Sequence, residues 1–130
     1  MKKFLKVSLV LALALSSLLS IDILTVSANN NRQWAAWSGG DFGWDPVVLN
    51  NGTQVGAVVL GTISGNRELQ MQIDFFAANG SHGGAIGYTW HSGVGQVRTS
   101  GGIRSGETAN AIHRGRGPST ISRTTSVRRP

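Results

Sequence analysis

From Glu68 to Ala77 the chain reads ELQMQIDFFA, with Leu69, Met71, Ile73 and Phe75 at alternate positions and Gln70, Gln72, Asp74 and Phe76 between them. A period of two belongs to a strand packed on one side and wetted on the other. Upstream, Thr53 to Ile63 (TQVGAVVLGTI) is rich in β-branched residues and predicts a second strand. Ser64-Gly65-Asn66-Arg67 between them has turn chemistry, so the pair is expected to form an antiparallel hairpin. Gly56 and Gly61 inside the first strand point to a bulge or to close approach of another segment. Turn signals recur at Ser38-Gly39-Gly40, at Asn50-Asn51-Gly52 and from Ala78 to Gly84, leaving Phe42 to Leu49 and Ala85 to Trp90 as further short strands. No helical period follows residue 28. The expected fold is all-β, a small antiparallel meander or barrel-like sheet of four or five strands.

The N-terminus has a different pattern. Lys2, Lys3 and Lys6 precede a predominantly apolar run from Val7 to Leu19, and Val26-Ser27-Ala28 follows with small side chains. This is the layout of a secretory signal peptide spanning residues 1–28, with a mature chain from Asn29 that is secreted, to the medium or the periplasm. The run is too short to span a bilayer as a helix, so no transmembrane anchor is expected after cleavage.

Once the three lysines and Asp22 of that leader are set aside, nine arginines face five carboxylates, a formal charge of +4. Seven of the arginines lie beyond Trp90, whereas every aromatic of the mature chain precedes His91. The boundary suggests a small β-domain over residues 29–92 and a basic, Arg/Gly/Ser-rich tail over residues 93–130. A stretch of Gly, Ser, Thr and Arg has little apolar surface to offset chain entropy, so the tail is expected to be disordered. A frameshifted or truncated gene end would give the same abrupt change. There is no cysteine, which removes disulfides, thiol nucleophiles and thiolate metal sites together. A sixty-residue domain without such staples is marginal, which makes a homo-oligomer physically attractive.

Catalytic constellations are thin. His82 and His91 stand apart from carboxylates at ligand spacing, Ser81-His82 lacks a nucleophile elbow, and Asp41 and Asp45 flank Trp44 among turn formers. No enzyme, metal or cofactor is expected. Asn51-Gly52-Thr53 and Asn79-Gly80-Ser81 match the N-glycosylation pattern, but their Asn-Gly turn role accounts for them.

The densest chemistry is the aromatic cluster. Trp34, Trp37, Phe42 and Trp44 share twelve residues with Gly39, Gly40, Asp41 and Asp45. Flat rings beside hydrogen-bonding groups suit a sugar, which is apolar on its face and polar at its edge. The candidate ligand-binding residues are therefore Trp34, Trp37, Gly39, Gly40, Asp41 and Trp44, together with Gly83 and Gly84 of the downstream glycine-rich loop. Filling the core is the competing role for the tryptophans.

Gln33-Trp34, Trp37-Ser38-Gly39-Gly40, Gln54-Val55, Leu69 and Ile86-Gly87-Tyr88 together resemble one repeat of the Oscillatoria agardhii agglutinin-like lectins. The resemblance implies a metal-free β-barrel lectin that binds high-mannose glycans through the loops beginning at Trp34 and ending near Ile86. Ala35-Ala36 stands where that family has Gly-Gly, and His82-Gly83-Gly84-Ala85 where it has Gly-Glu-Gly-Pro. The expected function is a secreted, lectin-like carbohydrate-binding protein whose partners are glycans or polysaccharides. The alternative is an extracytoplasmic polyanion-binding or structural envelope protein acting through its arginine-rich tail.

Overall fold

The computed structural model describes residues 31–130, so the signal peptide expected over residues 1–28 lies outside the described residues. Nine strands and no helix make up the described chain: β1 (Gln33–Trp37), β2 (Gly40–Asn50), β3 (Gln54–Gly61), β4 (Glu68–Phe76), β5 (His82–Ile86), β6 (His91–Ser92), β7 (Gln96–Gly102), β8 (Thr108–Arg116) and β9 (Ile121–Arg128). They form two antiparallel sheets. The first runs β1-β2-β3-β7, and the second runs β5-β4-β8-β9, with the short β6 pairing beside β5 on the same edge of β4. The sheets pack on one core and do not close into a barrel.

Local chemistry accounts for the first sheet. Ser38 and Gly39 both take positive φ, at 45° and 80°, giving the two-residue turn whose twist matches a β-hairpin. Pro46 has no N–H for a ladder and sits where β2 gains one residue against β3, between the pairs Asp45↔Val58 and Val48↔Gly56. The bulge turns Val47 inward, and its N–H donates to Thr125 Oγ1 of the second sheet at 2.9 Å.

The alternation of β4 holds as expected, because Leu69, Met71 and Ile73 are buried and Phe75 packs beside them. Its partners differ from the expected ones. β3 and β4 do not pair as a hairpin: β3 lies between β2 and β7, while β4 lies between β5 and β8. The linking segment Thr62–Arg67 therefore crosses from one sheet to the other. Gly61 at its start leaves room for the rings and methyls of Trp37 and Leu69, where a Cβ would come within 3.0 and 3.1 Å. The strand expected over Ala85 to Trp90 lies earlier, at His82–Ile86, and the chain then loops back to β6.

Residues 93–130, expected from composition to lack order, form β7, β8 and β9 in the structure. The physical reason lies in the alternation of β8. Ala109, Ala111 and His113 point into the core, and Gly115 continues their row beneath Trp37, where a Cβ would come within 2.9 Å of the ring. Small residues here complement large ones opposite, so the core needs no aromatic from this half. Trp37, Phe42, Val55, Ala57 and Val59 from the first sheet meet Leu69, Met71, Ile73, Ala109 and Ala111 from the second.

His113 is the polar exception at the centre. Its Nδ1 lies 3.0 Å from Val58 O and its Nε2 lies 3.0 Å from Thr125 Oγ1. A carbonyl can only accept, so Nδ1 carries the proton, and the Thr125 hydroxyl donates to Nε2 while accepting from Val47 N–H. Each group in this bridge between the sheets has a partner. Burial lowers the His113 pKa to about 4, against smaller opposing pulls from the Val58 carbonyl and the Asp45 carboxylate.

Candidate functional site

The outward side of the first sheet carries one aromatic ring that the core does not use. Trp34 on β1 pairs with Gly43 on β2, and a Cβ at Gly43 would fall 2.6 to 2.7 Å from atoms of the indole. Only a glycine lets the ring lie this close to the backbone. Trp34 is 56% exposed, so the ring that lies against Gly43 also presents much of its surface to solvent. Asp41, exposed and diagonal to Trp34 across the β1–β2 ladder, has its backbone N–H held by Thr62 Oγ1 at 2.9 Å. Asp41 thus lies on a held strand, on the same side of the sheet as the ring.

Asp45, four residues along on the same strand, is 1% exposed and has a different task. Arg32 grips both its oxygens, Nε to Oδ1 at 2.7 Å and Nη2 to Oδ2 at 2.9 Å. That fork fixes the chain leading into β1 and hence the seat of Trp34. The hydrogen bond to Asp45 raises the Arg32 pKa above its ordinary value.

The other expected site residues are dispersed. Trp37 is 2% exposed and belongs to the core, its indole N–H donating to Ser119 O at 3.0 Å and its ring edge-on to Phe42. The Arg67 guanidinium lies 5.0 Å from the Trp37 ring and donates to Trp37 O and Ser38 O, which pins the β1–β2 turn. Trp44 also packs against the core, with Arg123 5.2 Å from its ring. Gly39 forms the turn, and Gly40 sits close under Thr62 and Arg67. Gly83 and Gly84 lie on β5 of the other sheet, where Gly83 lines an open cleft of about 170 Å³ with Phe75, Gly102, Arg104 and Glu107. Of the eight candidates, the structure brings Trp34 and Asp41 together on one exposed surface.

A second surface escaped the sequence reading. On the outward side of the second sheet, Gln70 and Gln72 of β4 offer both their amide oxygens to Arg114 Nη1 of β8, at 2.7 and 2.9 Å. Gln72 Nε2 passes the chain on to Asp74 Oδ1 at 2.8 Å. Ser126 of β9 donates to Asn110 Oδ1 at 2.6 Å. At one end Arg116 pairs with Glu68 at 2.6 Å and stacks 4.1 Å over Trp90. The available signal was the sequence TANAIHRGR in β8, whose alternate positions Thr108, Asn110, Arg114 and Arg116 fall in one row, interrupted by Ile112.

The Ser81-His82-Asp74 grouping does not assemble into a nucleophile and base. Ser81 Oγ donates to Asn79 Oδ1 within its own turn, and His82 Nε2 stands 3.8 Å from Asp74 Oδ1. Among the described residues no three His, Asp or Glu side chains gather where they could hold a metal ion. No helix of the described residues is long and apolar enough to cross a membrane. Set against family models, curated proteins and solved structures, the chain matches none of them. The fold and surfaces thus define a two-sheet, all-β protein with an open indole platform.

Proposed function

We propose that the protein is an exported, lectin-like carbohydrate-binding protein, and that the Trp34 face of the first sheet receives the sugar. The observation that carries this reading is the indole of Trp34, seated against Gly43 and 56% exposed. A pyranose ring stacks its C–H face on such a surface, and Asp41 beside it accepts hydrogen bonds from ring hydroxyls. The leader-like N-terminus and the resemblance of Gln33-Trp34 and Trp37–Gly40 to a lectin repeat support the same reading. The arginine-rich residues support a free polyanion-binding arm less well, because Arg114, Arg116, Arg123 and Arg129 all make contacts within the domain.

Titration with an oligosaccharide panel, high-mannose glycans included, should perturb tryptophan fluorescence and be competed by free sugar. Trp34→Ala should abolish the response while changing stability by no more than about 0.5 kcal/mol, as for an exposed residue outside the core. Retained binding in Trp34→Ala would reject the platform.

A further inference from the structure

We propose that the outward side of the second sheet is a separate surface for an acidic polysaccharide, with Arg114 and Arg128 taking its carboxylate or sulfate groups. Both arginines lack an opposing acid across the ladder: Gln70 and Ser122 stand opposite Arg114, and Thr108 stands opposite Arg128. Arg114 commits one nitrogen to the two glutamine amides, and this fixes the guanidinium while its other N–H donors stay available. The glutamines are themselves held, Gln70 by Tyr88 O and Gln72 by Asp74, so the cation is positioned before any ligand arrives.

Spacing selects the class of ligand. Arg128 lies opposite Thr108, six residues from Arg114 along β8, which is about 20 Å at the rise of an antiparallel strand. Between the two cations, on this side of the sheet, the last two strands carry no charge: Asn110 stands opposite Ser126 in one row and Ile112 opposite Thr124 in the next. Glu68 and Asp74 lie on the same side of the sheet. A nucleic acid, with a phosphate at every residue, would meet those carboxylates as well as the arginines. A glycan with sparse acid groups and many hydroxyls matches two widely separated cations with hydrogen-bonding side chains between them. Arg116 is not part of the anion site, since Glu68 already neutralises it.

Calorimetric titration of the protein with polygalacturonate, dextran sulfate, neutral dextran and single-stranded DNA tests the assignment. Binding to one or both acidic polysaccharides is expected, and which of them binds identifies the acid group. Arg114→Gln should weaken that binding by about tenfold or more, the size of a charge-assisted hydrogen bond. Arg128→Gln lies at an exposed strand end where folding is not at stake, and should weaken binding roughly threefold. Fragments shorter than about 20 Å should lose the contribution of the second arginine. Trp34→Ala should leave this binding unchanged, which separates its fate from that of the sugar platform. Failure of both acidic chains to bind overturns the proposal. So does equal binding of neutral dextran or DNA, and so does wild-type affinity in Arg128→Gln together with a folded Arg114→Gln.

Discussion

The first four strands and the last three build the same core from opposite materials. β1 to β4 contribute Trp37, Phe42, Leu69, Met71 and Ile73, whereas β8 contributes Ala109, Ala111, His113 and the Cβ-free face of Gly115. Neither set makes an interior alone. Large rings without small neighbours would leave the sheets propped apart, and small residues without rings would leave voids that cost stability in proportion to their volume. The comparison teaches that an aromatic-free stretch can be an obligatory half of a core, provided its small residues fall at alternate positions opposite bulky ones.

The largest effect should come from removing the second half outright. A chain ending at Ser92 strips β7 from beside β3, and β8 from beside β4 with β9 beyond it, leaving both former interior strands with open edges. Such a chain should show no cooperative thermal transition, and protease should degrade it throughout. A resistant fragment confined to residues 31–92 would show that the halves are independent after all.

Next in size are substitutions at the contact between the halves. Trp37→Ala should cost about 3 to 5 kcal/mol, the range for a large buried aromatic. Gly115→Val should also destabilise, by about 1 to 3 kcal/mol or more, since its new carbons must enter space that the Trp37 ring occupies. Chemical denaturation measures both. A mild effect at Gly115 would mean that the ring yields, and that the fit between large and small is loose.

How much of this was legible in the sequence depends on the kind of signal each element carries. β4 declares itself because its inward residues are large and its outward ones polar, so hydrophobic alternation is visible at once. β8 alternates as strictly, but Ala, Ala, His and Gly register as small or polar rather than apolar, and the period is lost on a hydrophobicity reading. The hairpin expected between β3 and β4 failed because turn chemistry at Ser64–Arg67 fixes a change of direction and says nothing of which sheet the chain enters next. The tryptophans divide for a related reason. Trp34 and Trp37 are three apart on one strand, so they must face opposite sides, and only Trp37 faces inward. Composition could count them but not separate them.

The last expected effect concerns the bond between the halves at His113, and it is set by pH. Between the unfolded value of about 6.5 and the folded value of about 4, the unfolded chain binds the proton and the folded one does not. Stability therefore rises with pH across that window: the contribution is complete above about pH 6.5, is lost progressively towards pH 4, and changes no further below it. The shift corresponds to roughly 3 kcal/mol at 1.36 kcal/mol per pH unit. His113→Asn, which cannot titrate, should be less stable than the native protein at pH 7.5 because Val58 O or Thr125 Oγ1 loses its partner. Its deficit should shrink as the pH falls to 4, so the two denaturation series should converge on the acid side. Nitrogen-15 shifts of the imidazole supply the microscopic check, since the bridge requires a neutral ring protonated at Nδ1 at pH 7. A ring protonated at Nε2, or parallel stability curves for the two proteins, would show that His113 does not join the two halves in the way its geometry requires.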